Sequence, residues 1–169
     1  MQREVDEDFA RYVRARQHSL LRAAYLLCGD ARLAEDLLRG ALTSAALRWH
    51  RVRTGDPDAH VRRVLYRDAM AALRRARRDS IAGALQQLAG SDGTTVPGRG
   101  GVDEALAALT PKQRAVVVLR YFEERSVADT AEVLGMSAGA VDGVARAAVA
   151  RMRARVPDLE VGLAGEALP

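Results

Sequence analysis

LTPKQRAVVVLRYFEERSVADTAEVLGMS, from Leu109 to Ser137, is the stretch on which the fold turns. Thr110-Pro111-Lys112-Gln113 reads as a capping box with proline at the first helical position. It launches a helix through Ala115, Val116, Val118 and Leu119 to about Phe122. Ser126 caps the next helix, with Asp129 three residues on and Val127, Ala131, Val133 and Leu134 following. Gly135 supplies a left-handed C-cap, and Ser137 caps a last helix lasting until Pro157. Ala131 is small enough for close helix approach, Gly135 takes the turn backbone, and Val141 fills the angle between the helices. The combination predicts a helix-turn-helix, used either to place a helix in a DNA major groove or only for packing.

Upstream, three stretches repeat apolar residues at helical rather than strand spacing. The first runs from Phe9 to Leu27 through Val13, Leu20, Leu21 and Ala24, and Gly29-Asp30 ends it. The second runs from about Ala31 to Arg51 with Leu33, Leu37, Leu38, Leu42, Ala45 and Trp49 on one side. Thr54-Gly55-Asp56-Pro57 breaks the chain, and a third helix from about Asp58 to Arg78 aligns Val61, Leu65, Ala69, Ala72 and Ala76. None buries its stripe alone, so the three are expected to form a bundle. Between the halves, the glycine-rich run from Gly90 to Gly101 predicts a flexible linker. The expectation is an all-α chain with an N-terminal bundle over 1–80, a linker over 81–102, a helix-turn-helix domain over 103–157 and a frayed tail over 158–169.

Composition narrows the function. The chain has 169 residues, 49% of them hydrophobic but only 4% aromatic, which suits Leu-, Val- and Ala-based helical packing. A single cysteine, Cys28, excludes an internal disulfide and a cysteine-based zinc cluster. His18, His50 and His60 lie on separate segments without ligand spacing, so no metal and no cofactor is expected. No phosphate loop, nucleophile elbow or carboxylate pair suggests an enzyme. The acidic start, MQREVDEDF, has no apolar signal stretch, and no apolar run reaches the roughly 20 residues of a membrane span. A cytoplasmic protein with no membrane association is expected.

The net charge of +4 is unevenly spread: residues 1–90 hold 17 Arg against 11 acids, residues 91–169 hold 9 basic residues against 11 acids. A basic first half suits a polyanion, although arginine-rich helices also serve as plain solvated surface. The densest run is the third helix, where Arg62, Arg63, Arg67, Arg74, Arg75, Arg77 and Arg78 face one acid, Asp68. Arg63, Arg67, Arg74 and Arg78 project roughly together, a spacing suited to successive phosphates.

The opening stretch resembles the C-terminal domain of extracytoplasmic-function sigma factors, particularly the actinobacterial SigE-family type. FARYVRARQHSLLRAAYLLCGDARLAEDLLRGAL (9–42), RWHRV (48–52) and DPDAHVRRVL (56–65) resemble that group's N-terminal domain. The resemblance implies a specificity factor that brings core RNA polymerase to promoter DNA, under control of an anti-sigma factor or other protein regulator. It implies polymerase contact on the second helix, at Glu35, Asp36 and Leu37, where Arg39 and Gly40 depart from the family's amide and carboxylate. It implies minus-ten DNA contact on the third helix, at Arg62, Arg63, Tyr66, Arg67, Arg74, Arg75 and Arg78, with Tyr66 offering a ring for a flipped base. It implies minus-thirty-five contact at Ser137, Arg146 and Arg151. Ala138 to Ala145 carry few groups able to read bases, and Asp142 sets a negative charge where the family has a cation. Two functions therefore stand side by side: a promoter-reading sigma factor, or a sigma-like regulator that binds a protein partner without promoter readout.

Overall fold

The computed structural model describes residues 2–87 and 101–157, all of whose regular structure is helical. In the first half α1 spans Gln2–Cys28, α2 Ala31–Ala46, α3 Trp49–Val52 and α4 Pro57–Gln87. In the second, α5 spans Val102–Ala107, α6 Pro111–Val117, a π-helical turn Val118–Phe122, α7 Val127–Leu134 and α8 Ala138–Arg155. Side chains supply the stops and starts. Asp30 Oδ1 accepts from the Leu33 N–H at 2.8 Å, Thr110 and Gln113 close a reciprocal capping box, and Ser126 and Ser137 cap α7 and α8. Gly135 ends α7 in the left-handed conformation at φ 62°.

The structure departs from the sequence reading mainly in where helices begin and end; α1, for one, starts at Gln2, ahead of Phe9. The helix expected over 31–51 is broken after Ala46. Trp49 is pulled into the core, where its indole N–H donates to Asp8 at 3.2 Å and its ring lies 5.0 Å from Phe9 and 5.3 Å from Tyr12. That aromatic anchor outweighs helix continuity. The third stretch does not stop at Arg78 but continues to Gln87, since 79–87 contain no proline to end it. Residues 81–87 of the expected linker are thus helical, while residues 88–100 and the tail lie outside the described residues.

The halves are packed together. One hydrophobic cluster joins Leu20, Leu27, Leu38, Trp49, Val61 and Leu65 of the first half to Ala115, Val118, Leu119 and Val133 of the second. Two smaller clusters hold α8 on α5 and α6, through Leu106, Val117 and Met152, and through Val116, Val141 and Ala145. Arg114, 9% exposed, fastens the seam by donating to the backbone carbonyls of Leu106 and Leu27, each at 2.8 Å. Leu27 lies in the last turn of α1, whose carbonyls have no partner within the helix.

Candidate nucleic-acid interface

Of the arginines of α4, Arg62 is buried and the others are exposed. A residue every four along this helix shares a face, and the face carrying Asp58, Arg62 and Tyr66 meets the segment after α6. Arg62 is only 4% exposed and Tyr66 is fully buried. Arg62 donates through Nε and Nη2 to Glu123 Oε1 at 3.0 and 2.8 Å, and the Tyr66 hydroxyl donates to Glu123 Oε2 at 2.6 Å. Asp58 also pairs with Arg62 and receives Arg125 Nη2 at 2.7 Å, with Arg16 at 3.7 Å. At the next residue, the half-exposed Arg63 pairs with Glu132 of α7 at 2.8 Å.

This electrostatic arrangement keeps its members in defined states. Burial disfavours the Arg62 charge, yet the hydrogen bonds and charge of Glu123, with Asp58 beside it, raise its pKa above the ordinary value. Burial, then the Glu123 charge, push the Tyr66 phenol well above its usual range, so it stays a neutral donor. Losing one partner of such a buried pair costs about 3–5 kcal/mol, because the other is left uncompensated.

Two of the sequence-assigned nucleic-acid contacts are therefore occupied internally in this conformation: Arg62 and Tyr66 are turned inward. Arg63 and Arg67 are exposed but paired, with Glu132 and with Asp68, the latter at 2.8 Å. Arg74, Arg75 and Arg78 are exposed along the outer half of α4. Of the second-helix residues, Glu35 and Asp36 face solvent, Asp36 pairing with Arg39 at 3.1 Å. Leu37 instead belongs to the core at 9% exposure: in the register of α2 it falls three residues after the fully buried Ala34. Its side chain thus packs in the bundle, not on the polar face that Glu35 and Asp36 present.

The helix-turn-helix has the expected form. α7 and α8 meet at a bend of 98°. Val141 is fully buried in the angle, clustered with Val116 and Ala145 against Val127, Ala131 and Leu134. Ser137 Oγ accepts from the Ala140 N–H at 3.2 Å, so its oxygen is engaged as a cap, while Asp142, Gly143, Arg146 and Arg151 line the exposed side of α8.

Sequence reasoning did not single out Glu123, Asp58, Arg114 or Arg125. A faint signal existed in the acidic pair Glu123-Glu124 directly after an apolar helix. The π turn, where the Glu123 N–H donates to Val118 O at 2.9 Å, and Glu124 at φ 53°, together aim Glu123 at α4. Neither is visible in residue periodicity. No single helix among the described residues is long and apolar enough to cross a membrane.

Comparison with known proteins places this geometry. Residues 99–152 match the family Sigma-70, region 4. The RNA polymerase sigma-E factor of Streptomyces coelicolor is 38% identical over 151 residues, covering 86% of this chain and 84% of that protein. The Streptomyces avermitilis protein of the same name is 38% identical over 149 residues, covering 86% and 83%. In fold, the chain is similar to the sigma factor RpoE of Bartonella quintana, solved with the anti-sigma factor NepR. That match has a TM-score of 0.65 and 20% identity, and covers 90% of this chain and 98% of the other. CnrH, solved with the cytosolic domain of CnrY, matches at TM-score 0.61 and 24% identity over 88% and 87%. Similarity that runs through both halves, beyond the helix-turn-helix alone, decides the assignment: the chain belongs to the RNA polymerase sigma-E factor family.

Proposed function

We propose that this protein is a sigma factor that directs core RNA polymerase to promoters, and that it is a non-enzymatic specificity subunit. The observation that carries this reading is the 38% identity to sigma-E factors over 86% of the chain, which spans the arginine-rich α4 as well as the helix-turn-helix. A regulator that had lost promoter work would have no need of both. Residues 1–80 then serve as the polymerase-binding and minus-ten module, with Glu35 and Asp36 toward polymerase and Arg63, Arg67, Arg74, Arg75 and Arg78 toward the DNA backbone. Residues 103–157 serve as the minus-thirty-five module, with α8 in the major groove and Arg146 and Arg151 on phosphate. A solved neighbour held by an anti-sigma factor supports a protein regulator of the same kind here.

Purified core polymerase and this protein, given genomic DNA fragments, should yield transcripts with discrete starts that core alone does not make. A complex that forms with core yet opens no promoter would instead support the regulator reading. No binding to core would reject both roles at the polymerase.

A further inference from the structure

We propose that Asp142 is a specificity-determining residue of α8: its carboxylate accepts from the exocyclic amine of a cytosine in the major groove and so selects that base at one position of the bound duplex. This rests on the reading of α8 as the groove-facing helix.

The packing of α8 fixes which side chains it offers. Val141, Ala145, Ala148 and Met152 are buried at helical spacing and set the rotation of α8 about its own axis. Gly139, Asp142, Arg146 and Arg153 then share an exposed face. Asp142 is the one acid in α8, against Arg146, Arg151, Arg153 and Arg155. Arg146 stands four residues on, the spacing of a helical ion pair. Asp142 nevertheless makes no ion pair or side-chain hydrogen bond among the described residues. A carboxylate without a partner inside the chain, on an otherwise cationic helix, is left to a partner outside it.

Its glycine neighbours point the same way. At Gly139 and Gly143 an added Cβ would meet nothing within 4 Å, so no neighbour within the chain requires glycine there. Each weakens the helix relative to alanine. Bare backbone on both sides of Asp142 lets α8 approach a groove floor closely, which a carboxylate on a one-carbon stem needs in order to reach a base edge. In a helix-turn-helix the N-terminal residues of the second helix meet base edges, and Asp142 is the fifth residue of α8. Beside a phosphate this carboxylate is only repelled; at a base edge it discriminates. Guanine presents two acceptors to the major groove, and thymine an acceptor and a methyl group, so neither can donate to it. Adenine sets its N7 acceptor beside its N6 donor. Cytosine presents its N4 donor with no acceptor beside it, and is the base from which a carboxylate accepts.

The test is selection from a duplex DNA library with a randomised region, by the full chain alone and by the full chain with core polymerase. Bound DNA is sequenced for the wild type, Asp142→Ala and Asp142→Asn; the side chain is exposed, so both variants keep the fold, which circular dichroism checks. In the wild type one position should favour cytosine about tenfold over guanine or thymine. Asp142→Ala should flatten that position to within about twofold and leave the others unchanged. Asp142→Asn should move the same position to adenine, whose N6 and N7 an amide meets bidentately. If Asp142 does no more than repel the duplex, Asp142→Ala tightens every sequence by the same factor and keeps the base profile, and the proposal is overturned. A wild type with no preferred base at any position, alone or with core, overturns it as well. Transcription from genomic fragments with core polymerase is assayed in parallel; its failure rejects the sigma function, while selection by the chain alone still judges Asp142.

Discussion

Arg114 turns a surface-loving side chain into a structural tie. Its guanidinium is buried against the Leu27 and Leu106 carbonyls, and desolvation lowers its pKa from the ordinary arginine value. Replacing it with alanine strips two buried acceptors of their donor, so Arg114→Ala should lower unfolding free energy by about 2–4 kcal/mol in urea titrations. His60 acts in the opposite sense. Its Nε2 is buried without a hydrogen-bond partner beside Arg63, Arg48 and Arg67. Burial and then those charges hold its folded pKa below the ordinary histidine value. The unfolded chain therefore binds a proton more readily, and stability present above pH 6.5 is lost as pH falls from there through the folded pKa. His60→Gln should flatten that part of the stability–pH curve, read from denaturation midpoints across mildly acidic buffers; an unchanged slope would remove His60 as its source.

Among the elements, the helix-turn-helix was the most legible and α4 the least. Every cap of α7 and α8 is local chemistry, three or four residues apart, and such contacts are written in neighbouring side chains. Two glycines there should respond oppositely to alanine. At Gly135 an added Cβ meets nothing within 4 Å, but the φ of +62° is unfavourable, so Gly135→Ala should destabilise by about 1 kcal/mol. Gly143 lies inside α8 with ordinary φ and equally open space, so Gly143→Ala should stabilise by about 0.5–1 kcal/mol, seen as a higher denaturation midpoint. Asp142 is exposed on the same helix. If α8 lies along DNA as proposed, Asp142→Lys should tighten duplex binding and steepen its dependence on salt by about one to two counterions. An unchanged salt slope would place α8 away from phosphate.

Across the whole molecule, the shared cluster couples halves that look separable along the chain. Leu119 belongs to the π turn and is fully buried among residues of α1, α2 and α4. Leu119→Ala should cost about 2–5 kcal/mol. Trp49, the one tryptophan, lies in the first half, so its fluorescence should shift to the same lower midpoint as overall circular dichroism. Two separate midpoints would show that the halves unfold independently.

What the sequence determined by itself was the all-helical class, the caps, the breaks at Gly29-Asp30 and Gly135, and a family resemblance carried by both halves. Those features depend on spacing of a few residues and on side-chain chemistry that acts within one turn. Only the tertiary structure decided that Leu37 faces the core, that α2 stops at Ala46 before the buried Trp49, and that Arg62 and Tyr66 point at Glu123 across 61 and 57 residues of chain. An arginine reads alike whether it meets solvent, a phosphate or a carboxylate; its partner is chosen by where folding brings opposite charge and excludes water.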